Sequence, residues 1–169
     1  MSVVLAKITQ LCAVLSGIAL LAMAFLGVAD ILGIHLLGQP VPGVVELTSS
    51  LMVVSIFFGL PITEARGKNV RIEILIDRAP PALKRVLGII SRLTMVALFS
   101  LIAWFGWQSF VRSVVTNEFA QGLIEVPYWP SRLALVVGAV LVAIHAFHAG
   151  FREFRSGHLE QDADTTWKV

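Results

Sequence analysis

Residues 42–81, PGVVELTSSLMVVSIFFGLPITEARGKNVRIEILIDRAPP, decide the fold. An acid, Glu46, stands at the mouth of an apolar run that continues to Thr63. The run gives way to the basic residues Arg66, Lys68 and Arg71 and to an irregular apolar stripe of Val70, Ile72, Ile74, Leu75 and Ile76. A water-soluble domain has little use for a long apolar run directly beside a concentrated positive loop. A membrane protein does, because cytoplasmic loops retain Lys and Arg.

The composition points the same way. Of 169 residues, 57% are apolar and 14% charged, against about 45–50% and about 25% in ordinary globular domains. Mean hydropathy is +0.84. The apolar residues come in blocks, and four of them reach the roughly 20 residues that a helix needs to cross a bilayer. The expected fold is an all-α integral membrane protein: one membrane domain with four transmembrane helices, at about 11–32, 44–65, 87–112 and 130–150. An interfacial amphipathic segment is expected over about 68–86, between spans two and three, with Ala79-Pro80-Pro81 interrupting it. Residues 151–169 read as a polar cytoplasmic tail.

The first apolar block, Leu11–Ala29, could be mistaken for a signal peptide, since Lys7 precedes it and Ala22-Met23-Ala24 resembles a cleavage site. Its length exceeds the about 7–15 residues of a usual signal core, so it reads as a retained span. Asp30 closes this block, and a Gly- and Pro-punctuated connection leads to span two. In span two Ser55, Gly59 and Thr63 recur every four residues, a small-residue stripe suited to close helix approach in lipid. Pro61 is expected to loosen its last turn. Gly106 in span three, and Ala139, Ala143, Ala146 and Gly150 in span four, offer further close contacts. Trp104, Trp107 and Trp129 fall where aromatic belts mark the membrane–water interface.

Orientation follows from charge. Eleven of the 13 Lys and Arg lie in the N-terminus, the segment from Arg66 to Arg92 and the tail, while Arg112 and Arg132 flank the loop between spans three and four. Both termini are therefore expected in the cytoplasm. This asymmetry accounts for the net charge of +2 without a nucleic-acid partner. No internal repeat or twice-broken helix is visible, features that usually surround the binding site of a secondary transporter. The chain does not read as a complete carrier.

Ionisable groups near the spans are the candidates for chemistry. Asp30 and Glu46 could form a proton or cation site; the plainer reading, favoured here, is that they anchor helix ends at headgroup depth. His145 and His148 lie about one turn apart on span four and raise the alternative of a haem-binding membrane anchor subunit of a respiratory enzyme complex. That role needs matching ligands on another helix, and only His35 and His158 remain. A closed zinc site fails because Cys12 is the single cysteine and no carboxylates cluster near it. Arg66, Lys68, Arg78, Lys84 and Arg85 are expected to contact lipid headgroups, together with Trp104, Trp107 and Trp129. No phosphate loop, nucleophile elbow or paired carboxylates are present, so no enzyme activity is expected.

In order along the chain stand Asp30-Ile-Leu-Gly33, Pro40-Val-Pro42, Glu46-Leu47, and then Gly67-Lys-Asn-Val-Arg71-Ile-Glu73 leading to Asp77-Arg-Ala-Pro80. Gly122, Glu125-Val-Pro127-Tyr-Trp129 and Gly138 follow. This order resembles the small membrane subunit, the DctQ type, of tripartite ATP-independent periplasmic (TRAP) transporters. Asn69 and Glu73 stand where that family often has His and Asp. The resemblance implies a non-catalytic subunit of the bacterial inner membrane that pairs one-to-one with a large permease. It further implies that a periplasmic solute-binding protein delivers an organic acid, such as a C4-dicarboxylate, a sugar acid or a sialic acid. The chain itself would hold no cofactor, and the coupling sodium ions would bind in the large subunit. On this reading Glu46, Ser55, Gly59, Gly67, Arg71, Glu73 and Asp77 are expected at the large-subunit interface. His35, Gln39, Glu118 and Glu125 are expected where the binding protein docks.

Overall fold

In a computed structural model, four long helices make up almost all of the described chain, residues 3–65, 81–119 and 124–156. Helix α1 is Val3–Leu37, α2 is Val44–Ala65, α3 is Pro81–Val115 and α4 is Trp129–Ser156. At 1.5 Å per residue even α2 extends about 33 Å, enough for the hydrocarbon core. Each helix contains a window apolar enough to span a membrane. The chain is a multi-pass membrane protein with four spanning helices.

Several boundaries differ from expectation: α1 begins at Val3 and not at about 11, and α4 runs on to Ser156, through the first residues of the expected tail. Asp30 does not end the first helix, which continues to Leu37. The stop comes from Gly38, whose φ of +68° is open to glycine and whose N–H donates to the Ile34 carbonyl at 3.1 Å, a left-handed C-terminal cap. Asp30 instead accepts the Val41 N–H at 2.9 Å, tying the connecting loop back to the helix. Span three also starts earlier. Pro81 opens α3, where its missing N–H costs nothing, so residues 81–86 are the first turns of a continuous helix and not part of a separate segment. The rest of the expected interfacial segment, over 68–80, lies outside the described residues.

The helices pack as a row, α1 against α2, α2 against α4 and α4 against α3. Small residues set the spacing. Gly59 of α2 faces Ser16 of α1, whose hydroxyl donates to the Ser55 carbonyl at 2.7 Å. Gly138 of α4 lies on the backbone of Phe57, so that a Cβ there would run into the Phe57 carbonyl. Gly106 of α3 receives Leu135 and Val136. Ala139, Val142 and Ala146 line the buried face of α4, one of the two inner helices of the row. Lipid tails are as apolar as Leu, so helix association rests on such close packing and on cross-helix hydrogen bonds. The outward faces remain apolar and uncovered, with Leu21, Phe25, Leu93, Trp104 and Phe147 all exposed. In water such a surface would aggregate. In a bilayer it is the solvated side.

Candidate functional site

Two polar clusters sit at opposite ends of the row. The first is in the half of the bundle nearer the chain termini, built from the second turn of α1, the end of α2, the fourth turn of α3 and the middle of α4. The Glu64 carboxylate of α2 is buried and ion-paired with the Arg92 guanidinium of α3. His145 of α4 is buried as well, its Nε2 2.8 Å from the Thr9 hydroxyl of α1. That hydroxyl already donates to the Leu5 carbonyl at 2.9 Å, so the imidazole Nε2–H is the donor to Thr9. Between them the two pairs reach all four helices, Glu64–Arg92 joining α2 to α3 and Thr9–His145 joining α1 to α4. A carboxylate alone in lipid is costly, and pairing removes most of that cost.

The second cluster is at the hairpin end, in the loop between α3 and α4. Asn117 takes a φ of +48°, a left-handed conformation that asparagine tolerates, and the chain turns back through an isolated bridge between Phe119 and Pro127. Glu118 lies between two cations. Arg132 Nη1 approaches its Oε2 at 2.7 Å and Arg112 Nε its Oε1 at 3.4 Å. The Tyr128 N–H donates to the Glu118 carbonyl at 3.2 Å, and Arg132 lies 5.8 Å from the Tyr128 ring centroid. Gly43, with φ +81°, packs directly on the Ile124 side chain, so the two hairpin loops touch.

Against the sequence-based site residues, the structure distributes roles differently. Ser55 and Gly59, expected at the large-subunit interface, face α1 inside the chain, because the small-residue stripe is filled by Ser16. Thr63, the third member of that stripe, is exposed and donates to its own Leu60 carbonyl. Glu46 is half-buried in the first turn of α2, where a negative charge complements the helix dipole. His35, Gln39 and Glu125 are exposed at the hairpin end, whereas the Glu118 carboxylate is engaged by Arg112 and Arg132. Trp104, Trp107 and Trp129 are exposed on the outer surface of the row. Gly67, Arg71, Glu73, Asp77, Arg66, Lys68 and Arg78 lie outside the described residues. Lys84 and Arg85 fall within α3, but their side chains lie outside the description as well.

Sequence reasoning missed Glu64. It lies inside the expected second span, 44–65, one residue past the apolar run that ends at Thr63, and is not among the candidate site residues. The available signal was a lone carboxylate on the inner edge of a span, with Arg92 a few turns inside the next one. The reading of His145 as a haem ligand finds no support, since its Nε2 is bonded to Thr9. Among the described residues no group of three or more His, Cys, Asp or Glu could hold a metal ion.

Four apolar helices fastened to one another by polar contacts at both ends define a membrane subunit whose polar groups serve assembly. The chain belongs to the DctQ component family of tripartite ATP-independent periplasmic transporters, whose sequence signature matches residues 23–156. It is thus the small membrane subunit of a TRAP-type transporter and not an enzyme. The family works with a large permease subunit and a periplasmic binding protein. No curated protein matches the sequence.

Proposed function

We propose that this chain is the static scaffold of the transporter. It would pair one-to-one with the large permease in the bacterial inner membrane and hold it while a moving part of the permease carries substrate. The observation that carries this reading is how the buried ionisable groups are used. Glu64 is bonded to Arg92 and His145 to Thr9, each across helices, while the outer apolar faces are left for lipid or partner. Groups committed to fastening helices are poorly placed to carry a substrate or an ion. Sodium coupling and recognition of an organic acid then belong to the permease and the binding protein, and this chain holds no cofactor. The charge asymmetry favours cytoplasmic termini, which puts the paired hairpin loops, with His35, Gln39 and Glu125 exposed, in the periplasm to meet the binding protein.

The test is recovery of the tagged chain from its native membrane in mild detergent, with co-eluting proteins identified by mass. A large multi-span protein in equal amount is the expected result, and neither subunit should support sodium-driven uptake into liposomes without the other. Uptake by the large subunit and binding protein alone, at the full rate, would overturn the scaffold role.

A further inference from the structure

Arg132 is only partly used by the protein. Its Nη1 donates to the Ser109 carbonyl at 2.7 Å and reaches Glu118 at 2.7 Å. A guanidinium carries five N–H donors, and among the described residues no acceptor meets those on Nε and Nη2. Arg112 reaches the same carboxylate through Nε at 3.4 Å, and its side chain is largely exposed. The two arginines and the single glutamate leave one positive charge in excess at this point.

That charge sits at the head of a groove. Between α3 and α4 a cleft of about 440 Å³ is lined by Leu101, Ile102, Phe105, Ser109, Leu135 and Arg132. Gly106 lets its floor close tightly, a Cβ there falling 2.6 Å from Leu135 Cδ2. From Ser109 to Leu101 the groove descends about 12 Å along α3, roughly the depth of one leaflet of a 30 Å hydrocarbon core. Exposed Trp107 and Trp129 flank the cationic end, the depth at which aromatic side chains mark the headgroup region. The site is thus cationic at headgroup depth and apolar below it, over the length of one leaflet.

We infer that this groove is a phospholipid site on the hairpin side of the membrane. The phosphate accepts hydrogen bonds from Arg132 and Arg112, and one acyl chain lies along Leu101, Phe105 and Leu135. The inference rests on the membrane placement of the chain and not on its scaffold role, so the two fail separately.

The experiment is native mass spectrometry of the purified transporter complex after stepwise removal of lipid, with phosphatidylglycerol as the probe added back. The expected result is one phospholipid retained by the wild type. Its affinity should fall about tenfold in Arg132→Gln, as loss of charge-assisted contacts implies, and by a similar factor in Leu101→Trp, which fills the groove but keeps the guanidinium. Leu21→Trp, on the exposed face of α1, should retain the lipid as the wild type does. Diacylglycerol, with the same chains and no phosphate, should not displace it. Should Arg132→Gln not fold, Arg112→Gln and Leu101→Trp carry the test. Equal retention in wild type and Leu101→Trp, or displacement by diacylglycerol, would overturn the site. So would efficient cross-linking of Phe105→Cys to the large subunit, since protein would then occupy the groove.

Discussion

At the end of the bundle that carries the termini, the side chain of Glu64 is 2% exposed and that of its partner Arg92 16%, whereas at the hairpin end Arg112 is 77% exposed and Glu118 27%. Both pairs join an acid to a base, yet they differ in what would replace the partner. A Glu64 stripped of Arg92 stays buried and loses the guanidinium that faces it in a site that water reaches poorly. A Glu118 stripped of Arg112 keeps Arg132 and water. Geometry alone would rank the two ends as equals. Burial makes the terminal end the structural lock and the hairpin end an adjustable surface.

Breaking the lock should have the largest effect. Glu64→Ala should destabilise the purified subunit by about 3 kcal/mol or more, the cost of breaking a buried ion pair from one side, read as a fall in the midpoint of thermal unfolding in detergent. Glu64→Leu combined with Arg92→Met should recover much of that loss, because the pair's penalty disappears with both charges. A loss no greater than that of Glu118→Ala would erase the contrast between the ends.

Next comes the waist between them. Gly138→Ala should cost about 1–3 kcal/mol, the usual toll of overpacking, since the Phe57 backbone rather than a flexible side chain stands in the way. Retention of full stability would mean that α2 and α4 are not held at this distance. At the hairpin end Glu118→Ala should cost about 1 kcal/mol or less, and the loss should shrink in high salt as an exposed ion pair requires. The smallest effect is expected from Thr9→Val, which removes one cross-helix hydrogen bond worth about 0.6 kcal/mol in membrane proteins. A double-mutant cycle with His145→Phe sharpens the comparison: coupling near zero would remove α1 from the lock.

Much of this architecture is legible in the chain. Four apolar blocks fix four helices, because no other fold of twenty uncharged residues satisfies its backbone in lipid. Gly106, Ala139 and Ala146 were identifiable as contact residues, and each is packed against a neighbour or fully buried. Their partners were not identifiable. Ser55 and Gly59 form a correct stripe with an unspecified target, and small residues fit a helix of the same chain as well as one of another. Asp30 was readable as an anchor, but not as the acceptor for Val41, eleven residues later.

By itself, then, the sequence determined that this protein lives in a membrane, how often it crosses and which family it belongs to, since these depend on local hydrophobicity, loop charge and the order of short motifs. The tertiary structure alone decided the order of the helices in the row, the pairing of Glu64 with Arg92 and of His145 with Thr9, and the partial use of Arg132 above an apolar groove. The reason is physical. Hydrophobicity acts residue by residue and can be summed along a chain, but a buried charge is tolerated only by the group that meets it. Which group that is depends on how helices distant in sequence pack together.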